Sequence, residues 1–390
     1  MQLTYELFVP PPSMKVTYHP RVIRLQESSK PYKELKRVQI VTSRNSKFEK
    51  YPEYEVEPLS TVNVKEDKSK TALEHDDCKA MHEWQLEYKP ACNPIHEIDM
   101  MDNKFLAEGG FRSVWWMPDA FEDGKQGSEA VIKTLVWRKK FRDREKERHR
   151  RDATAYMMLE GSKHIPDIYG YCTNSAVFDV SREGSLADFI AGEGKGKFDI
   201  TTWTPKDKLK YAWQISKAMA DVHSVGNIHG SAAISHTDIS PDQFLWLDGM
   251  FKLNDFNRAR FILWDEKKNE ACPFYIPVNQ GIWRSPEEYG DDQPETEKID
   301  IFSMGNILFA LLIGEKPYNG VKKKEANELV LKGTFLKVSD ERKANFTPEE
   351  RAIYKAIGMC LKFDPKERKT AAEIEKYLHG KLENYGIPEK

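Results

Sequence analysis

The pattern of hydrophobic and polar residues divides the chain near residue 102 into two regions of different texture. Before that point, Pro, Lys, Glu and Ser interrupt short strand-like runs such as "RVQIVTS", and "VNVKEDKSK" has the composition of a solvated linker. The stretch "CKAMHEWQLEYKPACNPIHEIDM" is richer in aromatic and apolar residues, so we expect it to pack on the domain that follows. Residues 1–102 are predicted to form a partly irregular flanking region.

From residue 103 the periodicity becomes regular. "FLAEGGFRSVWWM", which contains a Gly-Gly turn, and "SEAVIKTLVW" are rich in β-branched and aromatic residues and predict strands, as do "DIYGYC" and "SAVFDVS". Between these pairs, "RKKFRDREKERHRRDATAYMML" places charged and apolar residues at helical spacing. Helical patterns dominate after about residue 181, for example in "KLKYAWQISKAMADVHSV". The order predicts an α+β fold over residues 103–385, with a small β-rich lobe (about 103–180) containing one helix and a larger α-helical lobe (about 181–385).

Charge, hydropathy and cysteine content limit which partners and which location are expected. The net charge of −2 gives no general attraction to nucleic acid, and "IFSMGNILFALLIG" is too short to span a bilayer. We therefore expect no nucleic-acid partner and no membrane span. The five cysteines favour reduced thiols and a cytoplasmic location by default. A local disulfide between Cys78 and Cys92, and a lumenal or membrane-tethered form of a longer protein, remain alternatives.

Four separated pieces of the chain suit phosphoryl transfer from ATP, which needs cations on the phosphates, carboxylates on magnesium and a positioned acceptor hydroxyl. Lys133 lies within the strand-like "AVIK", where an ammonium needs an anionic partner. In "HTDISPDQF", Asp238 can orient a hydroxyl and Gln243 offers an amide oxygen; in "LNDFN", Asp255 suits Mg²⁺. "SPEE" and "DIFSMG" follow in order. Together these pieces predict a phosphotransferase.

These motifs resemble those of the eukaryotic protein kinase family, and the resemblance covers residues 103–385. "AVIK" resembles the strand-3 lysine motif, "HTDISPDQF" the catalytic loop, "DFN" the magnesium-binding triplet and "SPE" the activation-segment anchor. The resemblance implies a bilobal fold, a protein substrate, and ATP with Mg²⁺ (or Mn²⁺) as cofactors. It also implies that Asp300 of "DIFSMG" holds the catalytic-loop backbone and that Arg368 pairs with Glu287.

The same resemblance assigns the nucleotide contacts. "FDVSREGSLADFI" corresponds to the hinge, so Phe178 would be the gatekeeper, and the backbone from Asp179 to Ser181 would hydrogen-bond adenine. Lys133 would hold the α- and β-phosphates. The remaining cofactor-binding positions that the resemblance implies, in the phosphate loop and its neighbouring strands, are Ala107, Gly109, Val114 and Ala130.

Two departures from the family pattern affect the phosphate end of the site. In "AEGGFRSV" only the central Gly109 is kept, with Ala107 and Arg112 at the flanking positions. Since Gly permits close backbone approach, we expect a looser grip on nucleotide, with Arg112 able to supply a cation instead. In the helix of the small lobe, the catalytic residue that the family pairs with the strand-3 lysine is Asp152 rather than Glu. We expect Asp152 to pair with Lys133 in a tighter geometry.

Departures in the catalytic loop affect the metal and the transferred phosphate. Gln243 replaces Asn, which moves its carbonyl by about 1.5 Å, roughly one C–C bond. Because Mg²⁺ tolerates little distortion, the loop must adjust or hold the second metal through water; alternatively, Gln243 is a structural amide. Ser240 replaces the lysine that many serine/threonine kinases place near the transferred phosphate, and turnover should suffer.

The activation segment lacks the usual phosphorylation chemistry. Thr237 stands where the family often has a phosphate-reading Arg, and between Asn257 and Ser285 the only side-chain hydroxyl belongs to Tyr275. We therefore expect packing, not phosphorylation, to order this segment. The residues predicted to supply that packing are Trp264, Phe274 and Trp283.

Three functions fit these observations. The leading hypothesis is an active, divergent protein kinase that acts on a protein hydroxyl; serine or threonine is the favoured acceptor, although neither Ser240 nor Gln280 decides it. A pseudokinase that binds nucleotide or partners without transfer is the first alternative. A small-molecule kinase of the aminoglycoside or choline type is the second, and "SPEE", "DIFSMG" and Arg368 argue against it.

Overall fold

The computed structural model describes residues 78–82, 85, 95, 103–118, 129–140, 142–191, 200–227, 229–277, 281–290, 293–336 and 338–389. All of them belong to one compact unit, residues 63–390. Strands and one helix come first and a mainly helical part follows, so the predicted α+β architecture is confirmed.

The strands, in chain order, are β1 (Cys78–Lys79), β2 (Lys104–Glu108), β3 (Arg112–Met117), β4 (Ala130–Leu135), β5 (Ile168–Cys172), β6 (Ser175–Asp179), β7 (Ile234–Ser235), β8 (Phe244–Leu247), β9 (Met250–Leu253), β10 (Arg260–Phe261), β11 (Trp264–Asp265) and β12 (Glu270–Ala271). The helices are α1 (Asp143–Met158), α2 (Leu186–Ala191), α3 (Pro205–Ser224), α4 (Lys298–Ile313), α5 (Lys323–Leu331), α6 (Asp340–Ala344), α7 (Pro348–Cys360) and α8 (Ala371–Asn384).

The small lobe is a five-stranded antiparallel sheet in the order β2-β3-β4-β6-β5. The Gly-Gly turn joins β2 to β3, as the sequence predicts. The central strand β4 reads "AVIKTL", whose β-branched residues suit a buried pleated surface. Its register places Lys133 between Val114 of β3 and Ala176 of β6, so the lysine stands in the middle of the sheet.

The large lobe is organised around α4, which is apolar on all sides because other elements surround it. Gly305 of this helix faces α7, and a Cβ added there would lie 2.5 Å from the Cβ of Cys360, so only glycine permits this approach. The helix ends at Gly314 in the left-handed conformation (φ 84°). Among the helices of the described residues, none is long and apolar enough to cross a membrane.

A buried ion pair closes the large lobe. The Arg368 guanidinium donates to both carboxylate oxygens of Glu287, at 2.5 and 2.8 Å, and also to the carbonyls of Lys362, Phe363 and Lys298. The predicted Arg368–Glu287 pair is thus confirmed. Its bidentate geometry fixes the segment that carries "SPEE" to the end of the domain.

Part of the flanking region packs on the large lobe, as the sequence predicts. Strand β1 pairs antiparallel with β11, with Cys78 opposite Asp265 and Lys79 opposite Trp264. Met81 packs against the apolar cluster that contains Ile262. The flank therefore adds a strand to the segment that follows the magnesium triplet.

The cysteines depart from the expectation of five reduced thiols. Cys172 and Cys272 are each disulfide-bonded, whereas Cys360 is a free, buried thiol. The physical reason for the error is that a spacing along the chain does not give the separation of two Cα atoms in the fold, which decides whether a bridge can form. The alternative pairing of Cys78 with Cys92 lies outside the described side chains.

Replacing Arg368 with Met should lower the free energy of unfolding by about 3–5 kcal/mol, because it leaves the Glu287 carboxylate without its partner. Urea unfolding of the wild type, of Arg368→Met and of the double variant with Glu287→Gln measures the effect. The double variant should recover part of the loss. Equal losses in the single and double variants would contradict the pairing.

Candidate active site

The catalytic loop is held by one buried carboxylate at the start of α4. Asp300 accepts hydrogen bonds from the backbone N–H groups of His236 (2.7 Å) and Thr237 (2.8 Å), from the Ser235 hydroxyl (2.8 Å) and from His223 Nε2 (3.1 Å). Burial alone would raise the pKa of Asp300, but the bond and charge of His223 hold it below the usual value. The predicted role of Asp300 in holding this loop is therefore confirmed.

Asp238 follows these residues, and its side chain is 20% exposed. In the described part of the chain its Oδ1 forms ion pairs with Arg284 and with Arg258, the latter at 3.3 Å. Both pairs use the same oxygen, so Oδ2 remains available to a hydroxyl donor. His236 is buried: its Nε2 donates to the Asn254 carbonyl at 3.1 Å and its Nδ1 accepts from the Asp238 N–H, so this side chain serves to pack and brace the loop.

The two predicted metal ligands lie on connected pieces of backbone. The Asn254 N–H donates to the Gln243 carbonyl at 2.8 Å, which ties the end of the catalytic loop to the start of the magnesium triplet. Asp255 has φ 67°, a left-handed conformation that costs energy for a non-Gly residue and is common at functional sites. Its Oδ1 accepts from the Asn257 amide. A carboxylate and an amide oxygen are hard donors and fit Mg²⁺.

Lys133 has a different partner from the one expected. Its Nζ donates to Oδ1 of Asn254 at 2.6 Å and lies 4.6 Å from the ring centroid of Phe178. The predicted direct pairing with Asp152 is wrong for this structure. The lysine is 8% exposed, and burial lowers its pKa, while the carboxylates of Asp255 and Asp152 oppose that shift.

Asp152 is instead paired with Arg112, whose terminal nitrogen lies 2.8 Å from Oδ2. The other carboxylate oxygen accepts the Phe256 N–H at 2.8 Å. Both side chains are buried, at 5% and 1% exposure. The physical reason for the changed partner is reach: Asp is one methylene shorter than Glu, and the longer Arg side chain spans the gap. The guanidinium expected near the phosphates is thus directed to the helix acid.

Contact of the predicted nucleotide-binding residues with ATP stays a prediction, and the structure gives their places in the fold. Ala107 and Gly109 are exposed in the β2–β3 hairpin, Val114 is half-buried, and Ala130 is buried at the start of β4. Phe178 is buried against Tyr156, with 4.6 Å between ring centroids. At the hinge the Asp179 carboxylate accepts from Tyr169, and the Ser181 hydroxyl is hydrogen-bonded to the carbonyls of Gly184 and Trp246.

Packing orders the described part of the activation segment, as the sequence predicts. Trp264 is buried in β11, Phe274 is buried in a cluster with Ile276, and Trp283 packs on the main core. Glu295 reinforces this arrangement, since its carboxylate accepts the Ile276 N–H at 2.7 Å. The expectation that no phosphorylation is required stays a prediction, and Gln280 lies outside the described residues.

Sequence reasoning missed several residues of this site. Arg258 and Arg284, which pair with Asp238, lie next to recognised motifs but in positions with no expected role. Asn254 and Tyr156 carried weak signals: Asn254 is a polar residue directly after the strand-like run "MFKL", and Tyr156 follows Asp152 by four positions on one helix face. Neither signal identifies a partner.

Stability should fall between about pH 4.5 and 9 through Glu295. Burial raises the pKa of this carboxyl from 4.5 to about 9, so the folded chain keeps a proton that the unfolded chain releases over that interval. Glu295→Gln imitates the protonated form, and its unfolding free energy should decline less steeply with pH. Urea midpoints at pH 5, 7 and 9 check this. An unchanged slope would contradict the shift.

Comparisons with known proteins agree with this geometry. The tyrosine-protein kinase transforming protein ros of UR2 avian sarcoma virus is 25% identical over 283 residues, covering 71% of this chain and 67% of that protein. An LRR receptor-like serine/threonine-protein kinase of Arabidopsis thaliana is 24% identical over 277 residues, 65% of this chain and 21% of the relative. Calcium-dependent protein kinase 19 of Arabidopsis thaliana is 25% identical over 261 residues, 64% and 42% respectively. Residues 106–378 match the protein kinase domain family, to which this chain therefore belongs.

Proposed function

We propose that the chain is a divergent ATP-dependent protein kinase that transfers the γ-phosphate of ATP to a protein hydroxyl. The observation that carries this proposal is the loop held by Asp300: its backbone bonds at 2.7 and 2.8 Å fix the residues that precede Asp238. A carboxylate kept in a rigid loop beside a second carboxylate, Asp255, and a buried ammonium, Lys133, is the arrangement that phosphoryl transfer uses.

Each side chain has a defined task in this proposal. Lys133 has three N–H donors, of which one goes to Asn254, so two remain for phosphate oxygens. Asp238 accepts a hydrogen bond from the acceptor hydroxyl and orients it toward the γ-phosphorus. The new bond joins the acceptor oxygen to that phosphorus as the bond to the β-phosphate oxygen breaks, and the hydroxyl proton passes to Asp238.

Mg²⁺, when bound, would neutralise charge on the phosphate oxygens. The residues that would hold it are Asp255, through its carboxylate, and Gln243, through its amide oxygen. The hydrogen bond between the Asn254 N–H and the Gln243 carbonyl keeps these ligands on neighbouring backbone, which supports a shared site. Mn²⁺ accepts the same kinds of donor, so it is an alternative ion.

A pseudokinase is the second candidate, and the ion pairs of Asp238 favour it. Arg284 and Arg258 both occupy Oδ1 of the carboxylate that would serve the acceptor hydroxyl. A substrate must compete with, or be oriented by, these guanidinium groups. The fold would then bind nucleotide or a partner without transfer.

We also propose an oxidising compartment, in place of the cytoplasm expected by default. The support is that Cys172 and Cys272 are disulfide-bonded, since such bonds persist mainly in oxidising environments. Alkylation of the unreduced, denatured chain followed by peptide mapping should label Cys360 but neither Cys172 nor Cys272. Labelling of all three in protein from an oxidising expression host would contradict the proposal.

Transfer of labelled phosphate from ATP to a generic protein mixture, with Mg²⁺ or Mn²⁺, tests the activity. Asp238→Asn should lower the rate by a factor on the order of 10² to 10⁴, the range for loss of a positioned acid or base. Asp255→Asn should also lower the rate, because it removes the carboxylate that would hold the metal ion. Asp340→Asn is the matched control, because that carboxylate is 99% exposed on α6. It should leave the rate unchanged.

The same experiment separates the two candidates. If the wild type transfers nothing with either metal while ATP raises its unfolding temperature, the chain is a pseudokinase. If transfer occurs, phosphoamino-acid analysis of the products identifies the acceptor, for which we propose serine or threonine. The relatives include a tyrosine-protein kinase and a serine/threonine-protein kinase, so either product is chemically reasonable.

A further inference from the structure

Two cations share one face of the central sheet beneath the phosphate loop. Arg112 stands opposite Leu135, and Val114 stands opposite Lys133, so Arg112 and Lys133 are diagonal neighbours on adjacent antiparallel strands. Alternating residues of a strand point to the same face, and diagonal pairs lie about 7–8 Å apart. The site therefore holds two positive side chains, Arg112 and Lys133, close to one acidic residue of helix α1, Asp152.

Of the two side chains, the longer one, Arg112, forms the ion pair with Asp152. Arg112 lies 2.8 Å from Asp152, and both are buried, so the ion pair links strand β3 to helix α1. A guanidinium is a fork that remains charged when buried, which suits a permanent structural pair better than an ammonium does. Asp152 also receives the Phe256 N–H at 2.8 Å, so it fixes the magnesium triplet to the same helix.

Uncharged side chains then position the lysine. Asn254 Oδ1 accepts from Lys133 Nζ at 2.6 Å and from the Tyr156 hydroxyl at 2.7 Å. The Tyr156 oxygen in turn accepts the Asp255 N–H at 3.0 Å. One chain of hydrogen bonds thus connects the phosphate-binding ammonium, helix α1 and the backbone of the metal-binding carboxylate.

We propose that Arg112, Asn254 and Tyr156 are positioning residues of this active site. Arg112 replaces the lysine as the ion-pair partner of the helix acid. Asn254 and Tyr156 replace the acid as the group that orients Lys133, and they set the position of Asp255. The inference deepens the kinase function proposed above and rests on it only for its kinetic consequences, because the pairing itself is a property of the folded chain.

Unfolding without nucleotide tests the pairing. Two double-mutant cycles are compared by unfolding midpoint, one with Arg112→Gln and Asp152→Asn and the other with Lys133→Met and Asp152→Asn. The first cycle should be non-additive, with the double variant losing little more than the worse single variant. The second cycle should be closer to additive than the first, because Lys133 and Asp152 interact only through their charges and form no direct ion pair. A non-additive second cycle with an additive first one would overturn the assignment of Arg112.

The role of Tyr156 is tested with a single-atom deletion. Tyr156→Phe keeps the ring, which packs against Phe178 and Phe256, and removes the oxygen that serves Asn254 and Asp255. The Asp255 N–H then loses its acceptor and Asn254 Oδ1 keeps only the bond from Lys133, so kcat should fall roughly tenfold. Tyr171→Phe, which removes a buried hydroxyl bonded to the Thr173 carbonyl on edge strand β5, is the matched control, and its kcat should stay within about twofold of the wild type because that hydroxyl bonds away from the site.

The role of Asn254 is tested by asking whether the effect of substituting it depends on the presence of Lys133. Asn254→Leu should weaken binding of Mg²⁺-ATP, measured as a dissociation constant, and Asn254→Asp, which keeps an acceptor oxygen, should restore most of it. In a Lys133→Met background, Asn254→Leu should have a smaller effect on binding or, where binding is lost, on the unfolding midpoint, because only the bond from the Tyr156 hydroxyl is then lost. An equal effect in both backgrounds would reduce Asn254 to a packing role and overturn the proposal.

These outcomes stay distinct from failure of the proposed function. If the wild type transfers no phosphate, the kinase proposal fails, whereas the unfolding cycles and the dissociation constants still decide the positioning roles. If transfer occurs but Tyr156→Phe and Tyr171→Phe behave alike, the positioning role of Tyr156 fails and the kinase function stands.

Discussion

The buried carboxylate of Asp300 is the constraint on which the site depends. It accepts four hydrogen bonds, two of them from consecutive backbone N–H groups just before Asp238. Its helix, α4, is packed on all sides, so the carboxylate cannot move without disturbing the core. A loop with Thr237 at φ 59° would otherwise favour other conformations. The position of the Asp238 carboxylate is thus set from the interior of the large lobe.

The activation segment is ordered by contacts that come from several directions. Strand β1 of the flank pairs with β11, Gln85 donates to the Ile262 carbonyl at 2.8 Å, and Glu295 binds the backbone at Ile276. Arg150 of helix α1 donates to the Gln85 carbonyl, so the flank also touches the small lobe. These contacts explain how a segment without serine or threonine can be held in place. At the position where the family often has an arginine that binds a phosphate, the Thr237 hydroxyl donates to the Arg258 carbonyl instead.

Motif spacing predicted the fold and the positions of Lys133, Asp238 and Asp255, because each motif ties a residue type to a strand end or a loop. It did not predict the partners of Lys133, Asp152 and Asp238. The exchange between Lys133 and Arg112 depends on side-chain length and on a diagonal register that only the paired strands define. The disulfides of Cys172 and Cys272 were missed for a related reason, since contacts between residues distant in sequence leave no periodic signal.

In the proposed kinase, the exchange of partners affects how a phosphate loop that keeps only one of the family's three glycines could bind a nucleotide. Four charged side chains lie together here, and Arg112 and Asp152 neutralise each other. The charges that remain are the Lys133 ammonium and the Asp255 carboxylate. A lysine held by a neutral amide has more of its charge available to phosphate than one already paired with an acid. In the proposed kinase, a metal ion held by Asp255 would neutralise that carboxylate, which would leave the nucleotide as the strongest anionic partner of the Lys133 ammonium. In the proposed kinase, this attraction at the lysine would offset what the loop backbone gives up by losing its glycines.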